Sequence, residues 1–212
     1  MLYLLRHGQT EWNRDHRLQG QGNSPLTDLG RQQAGLMADL LAREIAEPQK
    51  FRLVSSPLQR ARETAEVVAV KFAQPLEFDA RLAEIALGEW EGRFYREVQT
   101  ECAHLLTGTT PYDWFFRAPG GETFEAMSAR IGEWLRDCGD RPTIAVAHGL
   151  TGRILRGLYA GLDVETMLSQ PVPQDGVYRL VGGELTFLSA TGLDPNPAEL
   201  STNHWRQGES NP

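Results

Sequence analysis

The chain has 212 residues, of which 41% are apolar and 23% are charged, and this composition excludes a disordered or fibrous protein. Lys and Arg number 21 against 28 Asp and Glu, which gives a formal net charge of −7. An acidic protein has no general attraction for nucleic acid or for an anionic membrane, so any anionic ligand must be held by a local basic site.

Short apolar segments predict the buried strands of a parallel sheet, because each stops at a polar residue or a glycine. They cover residues 2–5, 51–54 and 143–147. Two later segments, 177–181 and 185–188, flank a glycine-rich turn and predict a tight hairpin.

Helical periodicity follows each of the first three strands. Thr27 is a good N-cap for the first long helix, and Ser56 followed by Pro57 predicts the start of the second through a capping box. Two more periodic segments span about residues 122–138 and 149–161. Strands that alternate with helices and end in a hairpin predict an α/β fold. We expect a three-layer sandwich with a mostly parallel central sheet, an antiparallel edge strand and helices on both faces.

No internal repeat or convincing linker interrupts the sequence, so residues 1–212 are predicted to form a single domain. From about residue 193 the chain has few apolar residues, which predicts an extended tail. Residues 89–121 are the least regular segment and are interpreted as a helical excursion over the sheet. The aromatic run 114–116 within it is typical of core packing, with pocket lining as the alternative.

Two histidines follow predicted strands directly. His7 and Gly8 come after the first strand, and His148 and Gly149 come after the strand that ends at Ala147. The ligand crevice of an open α/β sheet lies at the carboxyl ends of its strands, so both imidazoles are expected at one edge. Either histidine alone would be a polar residue that caps a turn.

Other polar residues favour an anion site at this edge. Arg6 adjoins the first histidine, Asn13 follows shortly after, and Arg60 falls on the first turn of the second long helix. One guanidinium group can bind two phosphate oxygens at once, and helix N-termini favour anions. These residues therefore predict a binding site for a tetrahedral dianion. Glu84 is the candidate carboxyl group. Taken alone, each of these residues is interpreted as an ordinary surface or turn residue. Taken together, they indicate a site that binds a phosphate group.

Several segments also match the motifs of a known protein family, and they occur in the same order along the chain as in that family. They read LLRHGQTEWN at 4–13, RLQG at 17–20, PLT at 25–27, SSPLQRA at 55–61, PGGE at 119–122 and VAHG at 146–149. On these segments the chain resembles the histidine phosphatase superfamily, in the branch of the cofactor-dependent phosphoglycerate mutases and related small phosphatases. The resemblance spans residues 4 to about 161 and is specific, whereas R-H-G alone would be weak.

The resemblance implies a phosphoglycerate mutase-like fold and gives the candidate residues their roles. His7 would attack phosphorus to form a phosphohistidine that water then hydrolyses. Glu84 would protonate the leaving alkoxide, and His148 would donate a hydrogen bond to a phosphoryl oxygen. Gln19 and Gly20 stand where the family's substrate loop runs.

The sequence favours a phosphatase that acts on small-molecule phosphate monoesters over two alternatives. One is a phosphoglycerate mutase, and the other is a catalytically silent phosphoryl-binding protein. A mutase needs extra cations for the substrate carboxylate, but Glu84 is followed by apolar residues, and no adjacent arginine pair lies between residues 92 and 121. Sugar phosphates, phosphorylated acids and a ribazole phosphate all stay open as substrates.

The remaining expectations concern cofactors, partners and location. No metal or other cofactor is expected, because guanidinium groups would hold the phosphate and no D-x-D or H-x-H spacing occurs. The expected partner is the phosphate monoester, with neither nucleic acid nor membrane, and a homodimer stays open. Cys102 and Cys138 form no C-x-x-C pair and the N-terminus has no signal-peptide core, so a cytoplasmic location is expected.

Overall fold

The computed structural model describes residues 1–191; the tail predicted from about residue 193 lies outside the described residues. The strands are β1 (Leu2–Arg6), β2 (Arg52–Ser55), β3 (Leu76–Phe78), β4 (Thr143–Ala147), β5 (Gly176–Val181) and β6 (Glu184–Ser189). The helices are α1 (Glu11–Arg14), α2 (Asp28–Glu44), α3 (Gln59–Phe72), α4 (Tyr95–Glu101), α5 (Phe124–Cys138), α6 (Gly149–Ala160) and α7 (Val164–Ser169).

The six strands form one mixed sheet in the order β3-β2-β4-β1-β5-β6. The first four in this order pair in parallel, and the β5–β6 hairpin adds two antiparallel strands beside β1. The predicted fold class is therefore confirmed. The sequence patterns missed β3, because this three-residue edge strand buries too little surface to produce an apolar run.

The core lies on both faces of the sheet. Leu2 and Leu4 of β1 pack in a cluster with α5 and α6, whereas Tyr3 and Leu5 pack in a second cluster with α2 and α3. Successive side chains of a strand point to opposite faces, so a strand buried on both sides appears as a continuous apolar run. The three-layer arrangement follows.

The layers fix where a ligand can bind. β1 and β4 are adjacent and parallel. However, α2, the first long helix after β1, and α6, which follows β4, lie on opposite faces of the sheet. The loops after the two strands therefore diverge, and this divergence opens a crevice at their carboxyl ends.

The segment 89–121 contains α4 and short 3-10 turns, as interpreted from the sequence. Trp90, Tyr95 and Trp114 are buried in the cluster that also holds α5 and α6. The excursion thus covers one face of the sheet. Within residues 1–191, no helix is both long and apolar enough to cross a membrane.

The predicted capping box at Ser56 is wrong. α3 begins at Gln59 with Leu58 as its N-cap, and no side chain caps this end. Ser56 lies two residues before the N-cap, too far back to reach the helix amides, and its hydroxyl instead accepts a hydrogen bond from the Leu58 N–H at 3.2 Å.

Candidate active site

The ends of three neighbouring strands place His7, Ser56 and His148 at one edge of the sheet. β4 lies between β2 and β1, so His148 stands between the other two residues. The parallel ladder continues past the strand ends, because the His7 N–H donates to the Ala147 carbonyl at 3.1 Å and the Ser56 N–H donates to the Val146 carbonyl at 2.9 Å. The two imidazole rings lie 5.1 Å apart between centroids.

His7 is held in one tautomer. Its Nδ1 lies 2.7 Å from the Gly8 carbonyl oxygen, which can only accept, so Nδ1 carries the proton. Burial lowers the pKa of His7 well below its ordinary value, and the nearby Arg60 and Arg6 guanidiniums lower it further. His7 is therefore a neutral imidazole with the lone pair on Nε2, the nitrogen that can act as a nucleophile.

The position of the Gly8 carbonyl depends on two glycines in close contact. A Cβ at Gly8 would lie 2.1 Å from the Gly30 carbonyl oxygen, and a Cβ at Gly30 would lie 2.0 Å from the Gln9 carbonyl oxygen. The Gly8 N–H also donates to the Thr64 hydroxyl at 3.1 Å. The loop after β1 is thus fixed against the first turn of α2, and no side chain larger than hydrogen fits at either glycine.

Arg60 is the most constrained cation of the site, at 1% exposure. Its Nε donates to Nε2 of His7 at 3.2 Å, Nη1 donates to the Gly22 carbonyl at 2.9 Å, and Nη2 donates to the Gly20 carbonyl at 2.6 Å. Burial lowers its pKa to about 10, against the opposing field of Glu84. The predicted substrate loop therefore supplies backbone carbonyls that orient this guanidinium.

Arg6 is buried beside the same crevice. Its Nη1 donates to the Val172 carbonyl at 2.6 Å, and burial lowers its pKa to about 10. An added Cβ at Gly149 would lie 3.7 Å from Arg6 Nε and 3.8 Å from Glu84 Oε2, so Arg6 and Glu84 flank this glycine. Gly149 gives the two side chains room beside the start of α6.

Glu84 lies at the N-terminus of α6. Its Oε2 accepts from the Leu150 N–H at 3.1 Å, and its Oε1 accepts from the N–H and hydroxyl of Thr151 at 3.1 and 3.0 Å. The Ile85 N–H adds a fourth hydrogen bond at 3.1 Å. These donors fix the carboxyl group at a helix end that favours negative charge.

His148 is the N-cap residue of α6, and its Nε2 lies 2.7 Å from the Ser56 hydroxyl. Burial lowers the pKa of His148 well below its ordinary value, with Arg60 and His7 adding to the effect. His148 is therefore also a neutral imidazole. Its Nδ1 has no hydrogen-bond partner among the described residues.

Asn13 closes a capping box with Thr10 at the start of α1. Its Oδ1 accepts from the Thr10 N–H at 3.2 Å and from Gln174 Nε2 at 3.4 Å, while Gln174 Nε2 also donates to the His7 carbonyl at 2.9 Å. Gln174 thereby joins Asn13 to the backbone of His7.

These groups border one cavity of about 210 Å³, which we call the main cavity. Its polar lining consists of Arg6, His7, Asn13, Arg17, Gln19, Arg60, Glu84 and Arg153, with Gly20 also in its wall. All predicted site residues except His148 border this cavity; His148 lies behind His7 and lines a smaller one. Phe115 lines the main cavity whereas Trp114 is in the core, so the aromatic run 114–116 contributes both to core packing and to pocket lining.

The site contains residues that the sequence analysis did not identify. The Ser56 hydroxyl was assigned to a helix cap, and nothing in the sequence marked Thr151 or Gln174. A sequence pattern could have identified Arg153 and Arg156. Two arginines three positions apart in a largely apolar helix are expected to be buried, and a charged residue is rarely buried unless it has a partner or a function. Among residues 1–191, no group of three His, Cys, Asp or Glu side chains is placed to hold a metal ion.

The chain is similar to known proteins in sequence and in fold. Residues 2–187 match the model of the histidine phosphatase superfamily, branch 1. Glucosyl-3-phosphoglycerate phosphatase from Mycolicibacterium vanbaalenii is 34% identical over 97% of this chain and 91% of its own length. The Escherichia coli protein named "Probable phosphoglycerate mutase GpmB" is 36% identical over 76% of this chain and 75% of its own. The crystal structure of the alpha-ribazole phosphatase from Shigella flexneri superposes with a TM-score of 0.73 at 26% identity, covering 89% of this chain and 94% of its own.

Proposed function

The chain belongs to the histidine phosphatase superfamily, branch 1, and is a phosphatase, and on this premise we propose that it hydrolyses small-molecule phosphate monoesters through a phosphohistidine at His7. The observation that carries the proposal is the orientation of the imidazole. The Gly8 carbonyl binds Nδ1–H, so the lone pair of Nε2 lies on the side of Arg60 and the main cavity.

In the first step, Nε2 of His7 attacks phosphorus and the bond from phosphorus to the ester oxygen breaks. Glu84 in its protonated form gives its proton to the leaving alkoxide. Before this attack, the hydrogen bond that Arg60 Nε–H donates to the Nε2 lone pair in the free enzyme must break, and Nε–H donates to a phosphoryl oxygen instead. Arg6, Asn13 and Arg60 stabilise the charge on the transferring group.

In the second step, water attacks phosphorus and the bond to Nε2 breaks, which releases inorganic phosphate. The Glu84 carboxylate accepts the proton of the attacking water, so the enzyme returns to its starting state. His148 binds a phosphoryl oxygen through Nε2–H when the substrate displaces the Ser56 hydroxyl from this nitrogen.

The charge of the main cavity supports a narrower substrate class. Four arginines line it, and Glu84 is neutral in the proton-donating form that the first step requires, which leaves four positive charges beside neutral His7. A phosphate monoester dianion neutralises two of them, so a substrate with one further negative group fits best. A phosphorylated carboxylic acid meets this requirement, and the M. vanbaalenii relative is named for a substrate of that kind.

A matched substrate pair tests the proposal. 3-Phosphoglycerate and glycerol 3-phosphate differ in that a carboxylate replaces a hydroxymethyl group. We expect both to be hydrolysed, with kcat/KM at least about tenfold higher for the acid, as one charge-assisted hydrogen bond provides. Equal rates would contradict the preference for an acid, and failure to hydrolyse either ester would contradict the function itself.

The same assay addresses the mutase alternative, which the relative GpmB represents. A mutase excludes water and transfers the phosphoryl group back to the substrate. We expect 3-phosphoglycerate to release inorganic phosphate faster than it isomerises, and the reverse order would make this chain a mutase. Unchanged turnover in the presence of a chelator is expected, because arginines hold the phosphate.

We further propose that residues 1–212 form one domain that acts in the cytoplasm. Cys102 and Cys138 are free thiols in the structure, as expected in a reducing compartment. No nucleic acid or membrane partner is proposed, because an acidic protein with a formal net charge of −7 has no general attraction for either.

A further inference from the structure

A second, smaller cavity lies behind the imidazole of His148. It has a volume of about 20 Å³ and is lined in part by Leu4, Arg6, His148, Gly152 and Arg156. A cavity of this size accommodates one water molecule and excludes larger ligands. We call it the small cavity.

Three buried polar atoms of its lining residues lack a hydrogen-bond partner among the described residues. They are Arg6 Nε, His148 Nδ1 and Arg156 Nη1. The three atoms are buried, and two of the residues are buried almost completely, since His148 is 1% exposed and Arg156 is 2% exposed. Buried polar groups are nearly always hydrogen-bonded to protein or to ordered water. Three such atoms around a cavity of the size of one water call for a shared partner.

We propose that one water molecule binds in the small cavity, where it accepts hydrogen bonds from Arg6 Nε–H and Arg156 Nη1–H and donates one to His148 Nδ1. The two guanidinium atoms can only donate, whereas a neutral imidazole nitrogen can accept. Water satisfies all three atoms at once, because it accepts two hydrogen bonds and donates.

The other atoms of Arg156 hold its guanidinium in place for this contact. Nε donates to the Gly152 carbonyl at 3.1 Å, and Nη2 donates to the Pro171 carbonyl at 2.7 Å. The guanidinium carbon lies 3.8 Å from the centre of the Tyr178 ring. Arg156 is thus anchored on three sides, and Nη1 is the atom that remains for the water.

The water has a consequence for catalysis, which rests on the proposed function. With Nδ1 as an acceptor, the proton of neutral His148 lies on Nε2, the atom that faces Ser56. Nε2–H can then donate to a phosphoryl oxygen. Arg156 is therefore a positioning residue that acts through the water on the tautomer of His148. An anion such as chloride in the cavity would require the opposite tautomer, with Nδ1–H as donor.

Gly152→Ala tests the proposal without removing any polar group. The added methyl would meet one described atom within 4 Å, Leu4 Cδ2 at 3.8 Å, and both residues line the small cavity. The methyl therefore fits and takes the space of the water. Gly152 lies inside α6, where alanine favours the helix more than glycine does. We expect a lower Tm, because three buried polar atoms lose their shared partner and this loss exceeds the gain in helix propensity. We also expect kcat of the folded variant to fall by at least about tenfold, because His148 loses the partner that orients it.

The matched control is Gly35→Ala in α2, where an added Cβ would meet nothing within 4 Å among the described residues. It should raise Tm slightly and leave kcat unchanged. If Gly152→Ala also keeps the wild-type kcat, the proposed effect of the water on catalysis is wrong.

Ring-nitrogen NMR shifts of labelled histidine test the binding itself, independently of activity. In the wild-type protein we expect His148 Nδ1 to be unprotonated, and magnetic relaxation dispersion of water oxygen to lose one long-lived internal water in Gly152→Ala. A protonated Nδ1, an unchanged number of internal waters, or His148 shifts that respond to halide concentration would each overturn the proposal. These outcomes do not depend on whether the chain hydrolyses phosphate esters.

Discussion

The Nε–H of Arg60 donates to Nε2 of His7 at 3.2 Å, so the nitrogen expected to attack phosphorus is bonded to a cation before substrate arrives. Burial lowers the pKa of His7, and the charge of Arg60 lowers it further, so the imidazole stays unprotonated. The contact also places the guanidinium beside the position that a phosphoryl oxygen occupies during attack. The same side chain thus keeps the nucleophile neutral and holds its lone pair in the free enzyme, and it binds the transferring group once substrate is present.

Arg60→Lys should lower kcat/KM about 100- to 1,000-fold, the range found when one preorganised donor to a transition state is lost. Lysine keeps the charge but cannot donate to His7, Gly20 and Gly22 in a planar fork. Steady-state kinetics on glycerol 3-phosphate measures the loss. Arg62→Lys is the matched control, since this arginine forms an exposed ion pair with Glu66 on the same helix. An Arg60→Lys enzyme with wild-type kcat/KM would contradict the account of the guanidinium.

Glu84→Gln should affect substrates according to their leaving groups. Glutamine cannot protonate an alkoxide, so kcat/KM on glycerol 3-phosphate, which reports the first step, is expected to fall about 100- to 10,000-fold. p-Nitrophenyl phosphate has a leaving group that needs no proton, so its kcat/KM should change little. Equal losses of kcat/KM on both esters would remove the proton-donor role from Glu84.

Thr151→Val should give a smaller effect of the same kind. It removes the hydroxyl that lies 3.0 Å from Glu84 Oε1 and 2.8 Å from the Ala83 carbonyl oxygen but keeps the N–H hydrogen bond of residue 151. We expect kcat/KM on the alkyl ester to fall more than kcat/KM on p-nitrophenyl phosphate. A uniform loss on both, with a lower Tm, would instead indicate a structural role for this threonine.

The two buried histidines make stability depend on pH. Their folded-state pKa values lie below the unfolded value of about 6.5, so below that pH the unfolded chain binds more protons and the free energy of unfolding falls. Each neutral histidine contributes a slope of up to about 1.4 kcal/mol per pH unit. Urea unfolding between about pH 7.5 and pH 5.5 measures this slope.

His148→Gln should reduce this slope, because it removes one of the two groups that stay neutral in the fold. The exposed His104, replaced by Gln, controls for the loss of a histidine elsewhere. A wild-type slope in His148→Gln would contradict the buried neutral state of His148.

The sequence predicted those parts of the fold and site that leave a pattern in nearby residues. β1, β2 and β4 are buried on both faces, so they appear as apolar runs, and a residue that follows such a strand must lie at the sheet edge. This reasoning located His7 and His148. It also located Arg60, because the residue lies on the first turn after β2.

Contacts between distant segments and backbone acceptors left no such pattern. The Gly8 carbonyl that selects the tautomer of His7 is a backbone atom present at every residue. The Thr151 and Gln174 contacts join segments more than 60 positions apart in the chain. Ser56 was misassigned because the local motif S-P-L-Q suggests a helix cap, whereas the neighbouring strand β4 brings His148 within reach of its hydroxyl.

His7→Ala should abolish turnover on glycerol 3-phosphate and p-nitrophenyl phosphate alike, because no other nucleophile replaces Nε2. This distinguishes the variant from Glu84→Gln, which keeps the first step on the activated ester. The fold should survive, since alanine fits the space of the buried ring, and circular dichroism checks this. Residual turnover near the wild-type level on either ester would mean that another group attacks phosphorus.

The stereochemical course at phosphorus tests the central claim most directly, because it does not require the phosphoenzyme to accumulate. A phosphorothioate monoester made chiral at phosphorus with two oxygen isotopes is hydrolysed by the wild-type enzyme in water of the third isotope, and the configuration of the product thiophosphate is determined. Transfer first to His7 and then to water inverts the configuration twice, so the account predicts overall retention. Overall inversion would mean that water attacks the substrate directly and that no phosphohistidine forms.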